Sequence, residues 1–311
     1  MAPLIQTEFT AAMGIRYPII GAPMFLVSYE ELVVAVCKAG GLGMLPLPNY
    51  RTTEHLRLAL AAIRSQTEAP MGVNIHLSGK FPWQEQLCIC LDHGVKFFIT
   101  SLGDPRLILD AVHQRGGWVF ADVVSLAQGL KAKKGGVDGL VAVGSGAGGH
   151  GGRVATLVLA PYLREETGLP VVAAGGISTG AQMAAAIACG ACAVIVGTRF
   201  IATPESRASA AYKQAVIDAD PEGIVCTDRV TGNPANWIAA SIAEMEERPP
   251  LTSKKWRDFW SAGQSVAQVR DIKPAAEIVA EMVSEYCETC RRLQGTVASN
   301  GFGSVKEVIH E

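Results

Sequence analysis

The chain has almost no net charge. Its 27 Lys and Arg nearly balance its 29 Asp and Glu, leaving −2 over 311 residues, with a pI of about 6.3. That balance supplies no basic face for a phosphate backbone, so nucleic acid is not an expected partner. No leader is expected either: the first 14 residues show no basic stretch followed by an apolar core, and a soluble cytoplasmic protein is the expectation. No apolar run of membrane length survives inspection. Residues 167–198 carry no charge, but Pro170, Gly175-Gly176, Ser178-Thr179-Gly180 and Gly190 interrupt them, and a span needs about 20 continuous apolar residues. Metal-site logic is lacking too. Of the eight cysteines, Cys189/Cys192 and Cys287/Cys290 form C-x-x-C pairs, but the first sits at an apolar helix-to-strand corner and the second on a charged helix. Neither has histidine partners nearby, so both pairs are read as core or partly buried thiols, with no metal and no disulfides.

What is present is apolar sequence with glycine punctuation: 49% hydrophobic and 33 glycines, enough for a sizeable core with many tight turns. Apolar runs at 18–24, 42–45, 71–77, 97–100, 118–121, 139–143, 171–177 and 193–200 read as strands. Helical stretches follow them at about 29–39, 53–65, 83–92, 105–114, 126–133, 155–166, 181–188 and 205–219. Near-continuous apolar strands joined through helices imply a parallel sheet buried on both faces. Eight such units predict a (β/α)8 TIM barrel over residues 1–220, with its site at the C-terminal strand ends. A doubly wound open sheet is the alternative, but its dominant glycine loop would come early, whereas here glycine turns follow strands six, seven and eight. Residues 221–294 read as a smaller helical lid with a long amphipathic helix over 275–293, and 295–311 as a loosely ordered tail.

Strand six runs into Gly144-Ser-Gly-Ala-Gly-Gly-His150-Gly-Gly. Glycine here lets a ligand approach the backbone, and a lone imidazole on such a loop marks His150 as the candidate catalytic group. The loop matches G-x-G-x-x-G, but the next strand ends without the acidic residue a dinucleotide ribose requires. Gly175-Gly176 and Gly197-Thr198 end strands seven and eight, where barrels bind phosphate through backbone N–H groups at a helix N-terminus; Arg199 either adds charge there or lies at the surface. Asn74 lies inside an apolar strand, as a satisfied core amide or a pocket group. His76 points the same way by strand alternation and is a candidate pocket residue. His55, His93, His113 and His310 read as surface residues.

Together, Gly21-Ala-Pro-Met24, Ala39-Gly-Gly-Leu-Gly43, Gly72-Val-Asn74, Ala147-Gly-Gly-His150, Ala174-Gly-Gly-Ile177 and Gly197-Thr-Arg-Phe200 resemble the nitronate monooxygenase (2-nitropropane dioxygenase) family of FMN-dependent barrels. Relatives of that family are FMN-dependent enoyl-acyl-carrier-protein reductases and NADH:quinone reductases. The resemblance extends over most of residues 14–290, including Thr231-Gly-Asn-Pro234 and Ala262-Gly-Gln264. It implies FMN with its phosphate on Gly175, Gly176, Gly197 and Thr198, its ring against Ala22, Pro23 and Met24, Asn74 at a polar ring edge, and Gly149 giving close backbone access. It implies His150 as the catalytic residue, orienting a nitro group or acting as base. The implied reaction is oxidation of alkyl nitronates with O2 to carbonyl compounds and nitrite. The runner-up is an NAD(P)H-dependent reductase of an enoyl thioester or quinone. The implied partners are a small-molecule substrate, O2 and, for the reductase, NAD(P)H, with a homodimer as an allowed assembly. Two departures stand out. Gly146 replaces a frequent acidic residue, and Asp122-Val-Val-Ser125 stands where a Thr-containing turn is usual.

Overall fold

The computed structural model describes residues 4–78, 81–247 and 255–296. It opens with helix α1 (Glu8–Met13), capped by a reciprocal pair between Thr7 and Thr10. Then follow β1 (Ile19–Gly21), α2 (Glu30–Lys38), β2 (Gly43–Pro46), α3 (Thr53–Arg64), β3 (Met71–His76), α4 (Trp83–Asp92), β4 (Phe97–Ser101), α5 (Arg106–His113), β5 (Trp118–Val123), α6 (Leu126–Gly135), β6 (Gly139–Val143), α7 (Thr156–Thr167), β7 (Val171–Ala174), α8 (Gly180–Ala188) and β8 (Ala193–Val196). These strands form one parallel sheet in the order β1-β8-β7-β6-β5-β4-β3-β2. The ring is completed between Ile20 and Leu42, where Leu42 N donates to Ile19 O and Gly21 N to Leu42 O, each at 2.9 Å. The expected (β/α)8 barrel is the observed one.

Strand alternation sorts the side chains into two cores. Val73, Ile75, Phe98, Val119, Leu140, Val171 and Val194 face outward to the helices. Ile20, Met44, Phe97, Ile99, Phe120, Val141, Val172 and Ala193 face inward. The short α1, not foreseen from sequence, plugs the lower mouth: Phe9 meets Phe97 edge-on at 5.1 Å between ring centres and Phe120 at 6.1 Å. With the lower interior filled, only the upper end remains for polar groups.

Beyond the barrel come α9 (Thr198–Ile201), α10 (Ala210–Asp218), β9 (Ile224–Thr227), β10 (Ala235–Ile238), α11 (Ala239–Glu247), α12 (Lys255–Asp258) and α13 (Ala275–Thr296). Three details differ from the sequence reading. Strand eight stops at Val196, because Gly197 turns the chain into α9. The helix expected from residue 205 begins at Ala210, capped by the Ser209 hydroxyl. The region read as helical also contains the antiparallel ribbon β9–β10, pairing Asn236 with Cys226. The amphipathic α13 buries Ile278, Val279, Met282 and Val283 and packs along α8 and α2. Pro249-Pro250 and, from residue 297, the expected tail lie outside the described residues. No described helix is long and apolar enough to cross a membrane.

Removing the plug should be costly. Phe9→Ala is expected to lower unfolding free energy by about 3–5 kcal/mol, measured by urea denaturation; an unchanged midpoint would mean that α1 is not part of the core.

Candidate active site

The loop after β6 has few side chains with which to hold itself, and later segments hold it instead. Asn236 Nδ2 donates to Ser145 O at 2.9 Å and to Ala147 O at 2.6 Å, while Asn236 N donates to Gly149 O at 2.9 Å. Ser261 Oγ accepts from Gly149 N at 2.6 Å and donates to Asn236 O at 2.8 Å. Gln264 N donates to Gly146 O at 3.1 Å. The approach is close enough that a Cβ on Gly148 would lie 2.9 Å from the Ala262 carbonyl carbon, so this position requires glycine.

His150 stands at the end of this clamp. Its Nε2 lies 3.2 Å from Thr231 Oγ1, and its ring meets Trp256 edge-on at 5.4 Å. The Thr231 hydroxyl donates to Asn233 O at 3.0 Å. A hydroxyl has one proton, so in this arrangement His150 Nε2 is the donor toward Thr231 and Nδ1 carries the lone pair. Enclosure by protein holds the His150 pKa below its usual 6.5, although the outer edge reaches solvent. His76, packed on Phe81 at 5.7 Å, is also held low, by burial and then by His150. Both imidazoles are therefore neutral at pH 7, the form that accepts a proton.

A polar chain crosses the upper interior. Asn74 Nδ2 donates to Ile99 O at 3.2 Å and to Ser101 Oγ at 2.7 Å, and Ser101 Oγ donates to Asp122 Oδ2 at 2.5 Å. Both amide protons of Asn74 are thus engaged, which leaves its Oδ1 as an acceptor. Asp122 follows Phe120 by two residues on β5 and so points into the same interior. Surrounding protein pushes its pKa up to about 6 against the lowering effect of the Ser101 hydrogen bond, even though the residue retains solvent access.

The loops after β7 and β8 offer bare backbone. Gly175 and Gly176 have φ of 107° and 74°, a left-handed turn natural to glycine. A Cβ on Gly176 would meet open space. The N–H groups of Gly176, Ile177, Gly197 and Thr198 donate to no described residue. The start of α8, by contrast, is mostly engaged: Gln182 Oε1 accepts from Ser178 N and Thr179 N, Glu285 Oε2 from Gly180 N, and Thr179 Oγ1 from Gln182 N. Most of the uncommitted N–H groups at this end therefore lie on the two turns and at the start of α9. Thr198 Oγ1 accepts from Gly263 N at 2.9 Å, leaving its own proton to donate. The half-buried loop of Ala22, Pro23 and Met24 lies alongside; a Cβ on Gly197 would sit 3.3 Å from Ala22 Cβ and 3.7 Å from Met24 Sδ.

Arg199 is neither a surface residue nor turned to these turns: it is buried and paired with Asp271 at 2.7 Å. His55, His93 and His113 lie on the outer helices or their ends, away from the mouth. The cysteines range from buried (Cys37, Cys90, Cys192) to exposed (Cys88, Cys226), and the described residues contain no metal-binding cluster of His, Cys, Asp and Glu. Sequence reasoning passed over Ser101, Asn236 and Ser261. It noted Asp122 and Thr231 only within motifs. Ser101 and Asp122 each follow an inward core residue by two, a signal that strand alternation carries; the Asn236 and Ser261 contacts span some ninety to one hundred and twelve residues and leave no local signal.

A family model described as nitronate monooxygenase matches residues 6–84 and 78–259. The chain belongs to the nitronate monooxygenase family. It is a flavin oxidoreductase of that family. Family members differ in what they are named for. The chain is 31% identical to a (3aS,4S,5R,7aS)-5-hydroxy-7a-methyl-1-oxo-octahydro-1H-indene-4-carboxyl-CoA dehydrogenase of Mycobacterium tuberculosis, over 86% of this chain and 74% of that one. It is 28% identical to a nitronate monooxygenase of Paraburkholderia phytofirmans, over 91% and 95%. FabK from Thermotoga maritima superposes with a TM-score of 0.84 at 31% identity, covering 94% of this chain and 100% of that one.

The Thr231 contact is testable without turnover. Thr231→Val should allow both neutral tautomers of His150, seen as averaged ring ¹⁵N shifts, while Thr231→Ser should keep the single Nε2–H form; a single tautomer in the Val variant would remove Thr231 from this role.

Proposed function

We propose that the chain binds FMN across the upper barrel and uses His150 as a base toward a carbon acid, oxidising nitroalkanes and their nitronates with O2 to carbonyl compounds and nitrite. The observation that carries this is the contact of His150 Nε2 with Thr231, whose own proton goes to Asn233 O, which leaves Nδ1 as the proton acceptor; enclosure, which lowers the ring's pKa, favours that form. Support for the cofactor comes from unused N–H groups at two glycine turns and the open space beyond Gly176. There Gly175, Gly176, Gly197 and Thr198 would hold the phosphate. Ala22, Pro23 and Met24 would flank the ring, with Gly149 at its approach, and Asn74 Oδ1 would accept from its N–H edge. FMN, when bound, supplies the site that takes electrons from the substrate and passes them to O2.

His150 Nδ1 then removes the proton from the carbon beside the nitro group. Once protonated, Nδ1 donates to the anionic oxygens that this creates, so base and orienting group are one residue acting in sequence. Trp256 and Thr231 fix the ring plane during both events. His76, neutral and across the mouth, forms part of the substrate wall.

A second reading has specific support. Asn74, Ser101, Asp122, His76 and His150 supply one carboxylate and no cation, a surface that suits a neutral substrate better than a preformed anion. The carbon beside an acyl thioester carbonyl is such a carbon acid, and the first-named relative acts on a carboxyl-CoA by its name. In that case NAD(P)H is the expected electron partner.

Anaerobic mixing separates the two. Flavin bleached by a nitroalkane but not by NAD(P)H supports the nitronate reaction; rapid bleaching by NAD(P)H supports the thioester or quinone reductase. His150→Ala should retain FMN and lose at least about 100-fold in kcat/KM; unchanged kcat/KM would exclude His150 as the base. Gly176→Asp should weaken FMN binding more than Gly176→Asn, which has the same shape and tolerates the left-handed turn, so the difference isolates charge; equal affinities would place the phosphate elsewhere.

A further inference from the structure

The chain Asn74–Ser101–Asp122 has a fixed direction. A backbone carbonyl can only accept, so Ile99 O dictates that Asn74 presents Nδ2 to the strand. Asn74 then donates to Ser101, and the single Ser101 proton goes to Asp122 Oδ2. The chain therefore ends in a carboxylate with one oxygen held by Ser101 and the other without a hydrogen bond among the described residues, on a residue open to solvent. The three residues stand on β3, β4 and β5, at the upper limit of an interior otherwise filled by Ile99, Phe120 and Phe97. Asp122 thus shares the space in which Asn74 Oδ1 is presented. Charged and titratable groups brought to this end by neighbouring elements are His76 at the end of β3, the exposed Asp104–Arg106 pair after β4, and His150 and Arg153 after β6.

We propose that Asp122 is the group that takes up a proton when bound FMN is reduced. This rests on the FMN reading above. Two-electron reduction by hydride leaves the cofactor with one more negative charge than before. A carboxylate at the same mouth, two hydrogen bonds from Asn74, opposes that charge. It removes the conflict by taking one proton from solvent on its outer oxygen, and no other bond forms or breaks. The neutral His76 and His150 do not relieve it as directly, because each is held in its uncharged form by enclosure, and the His150 proton acceptor is committed to substrate.

The test is the midpoint potential of the FMN-loaded protein from pH 5 to 8, by spectroelectrochemical titration. Linkage requires the reduced state to bind more protons than the oxidised state between the two pKa values of Asp122. Surrounding protein alone already raises the Asp122 pKa to about 6, and the negative charge added on reduction moves it higher still. Between the oxidised-state and reduced-state breaks, wild type should therefore take up about two protons per two electrons, and Asp122→Asn about one. At pH 8 the variant potential should be the more positive, since a negative charge has been removed. His76→Gln should keep the wild-type slope. Ser101→Ala keeps the carboxylate but removes the bond that favours its charged form, so the break in slope should move to higher pH. Equal slopes and potentials in wild type and Asp122→Asn, or a break that Ser101→Ala does not move, would overturn the proposal. Failure of the wild type to bind FMN would overturn the cofactor reading instead.

Discussion

Every functional feature of this barrel depends on how its interior is filled. Eight parallel strands turn one side chain in two toward the axis, and that space must be packed densely. Phe9, Phe97 and Phe120 fill the lower part as mutually edge-on rings, with α1 as the stopper. Polar side chains are excluded there because nothing would satisfy them. They collect one layer higher, where Asn74, Ser101 and Asp122 satisfy one another and still meet the mouth.

A second constraint acts on the rim. Glycine lets a loop pass close to a ligand, but leaves it without side chains to fix its own shape. The loop bearing His150 solves this by borrowing order from the ribbon β9–β10 and the turn at Ser261. Asn236 does most of the bridging, since one amide satisfies two carbonyls while its backbone satisfies a third. His150 is thereby rigid at its root and adjustable only at its ring, which Thr231 and Trp256 restrain.

Much of this was legible in local sequence. Eight apolar runs with intervening amphipathic helices specify the barrel, and His150, Asn74 and the turns at Gly175 and Gly197 stand out because glycine and buried polar groups are conspicuous in apolar surroundings. The ribbon β9–β10 was not legible. Ile224–Thr227 and Ala235–Ile238 are four residues each, too short for periodicity to declare. α1 was missed because six residues at an N-terminus look like a tail until Phe9 is seen inside the barrel. The role of Arg199 depended on a partner, Asp271, seventy-two residues away. Ser101 and Asp122 obey an alternation already recognised for Asn74 and His76, but a Ser and an Asp at strand ends look like ordinary turn residues.

The clamp on the histidine loop has a consequence for how the molecule is made. Asn236 and Ser261 follow Gly149 by some ninety and more than one hundred residues, and contacts of that sequence separation form late. During synthesis from the N-terminus, the turns at Gly175 and Gly197 are complete while the loop bearing His150 still awaits its restraints. The order of assembly therefore places the turns after β7 and β8 ahead of the His150 loop, and a chain halted before Asn236 would have all eight barrel strands but no fixed imidazole.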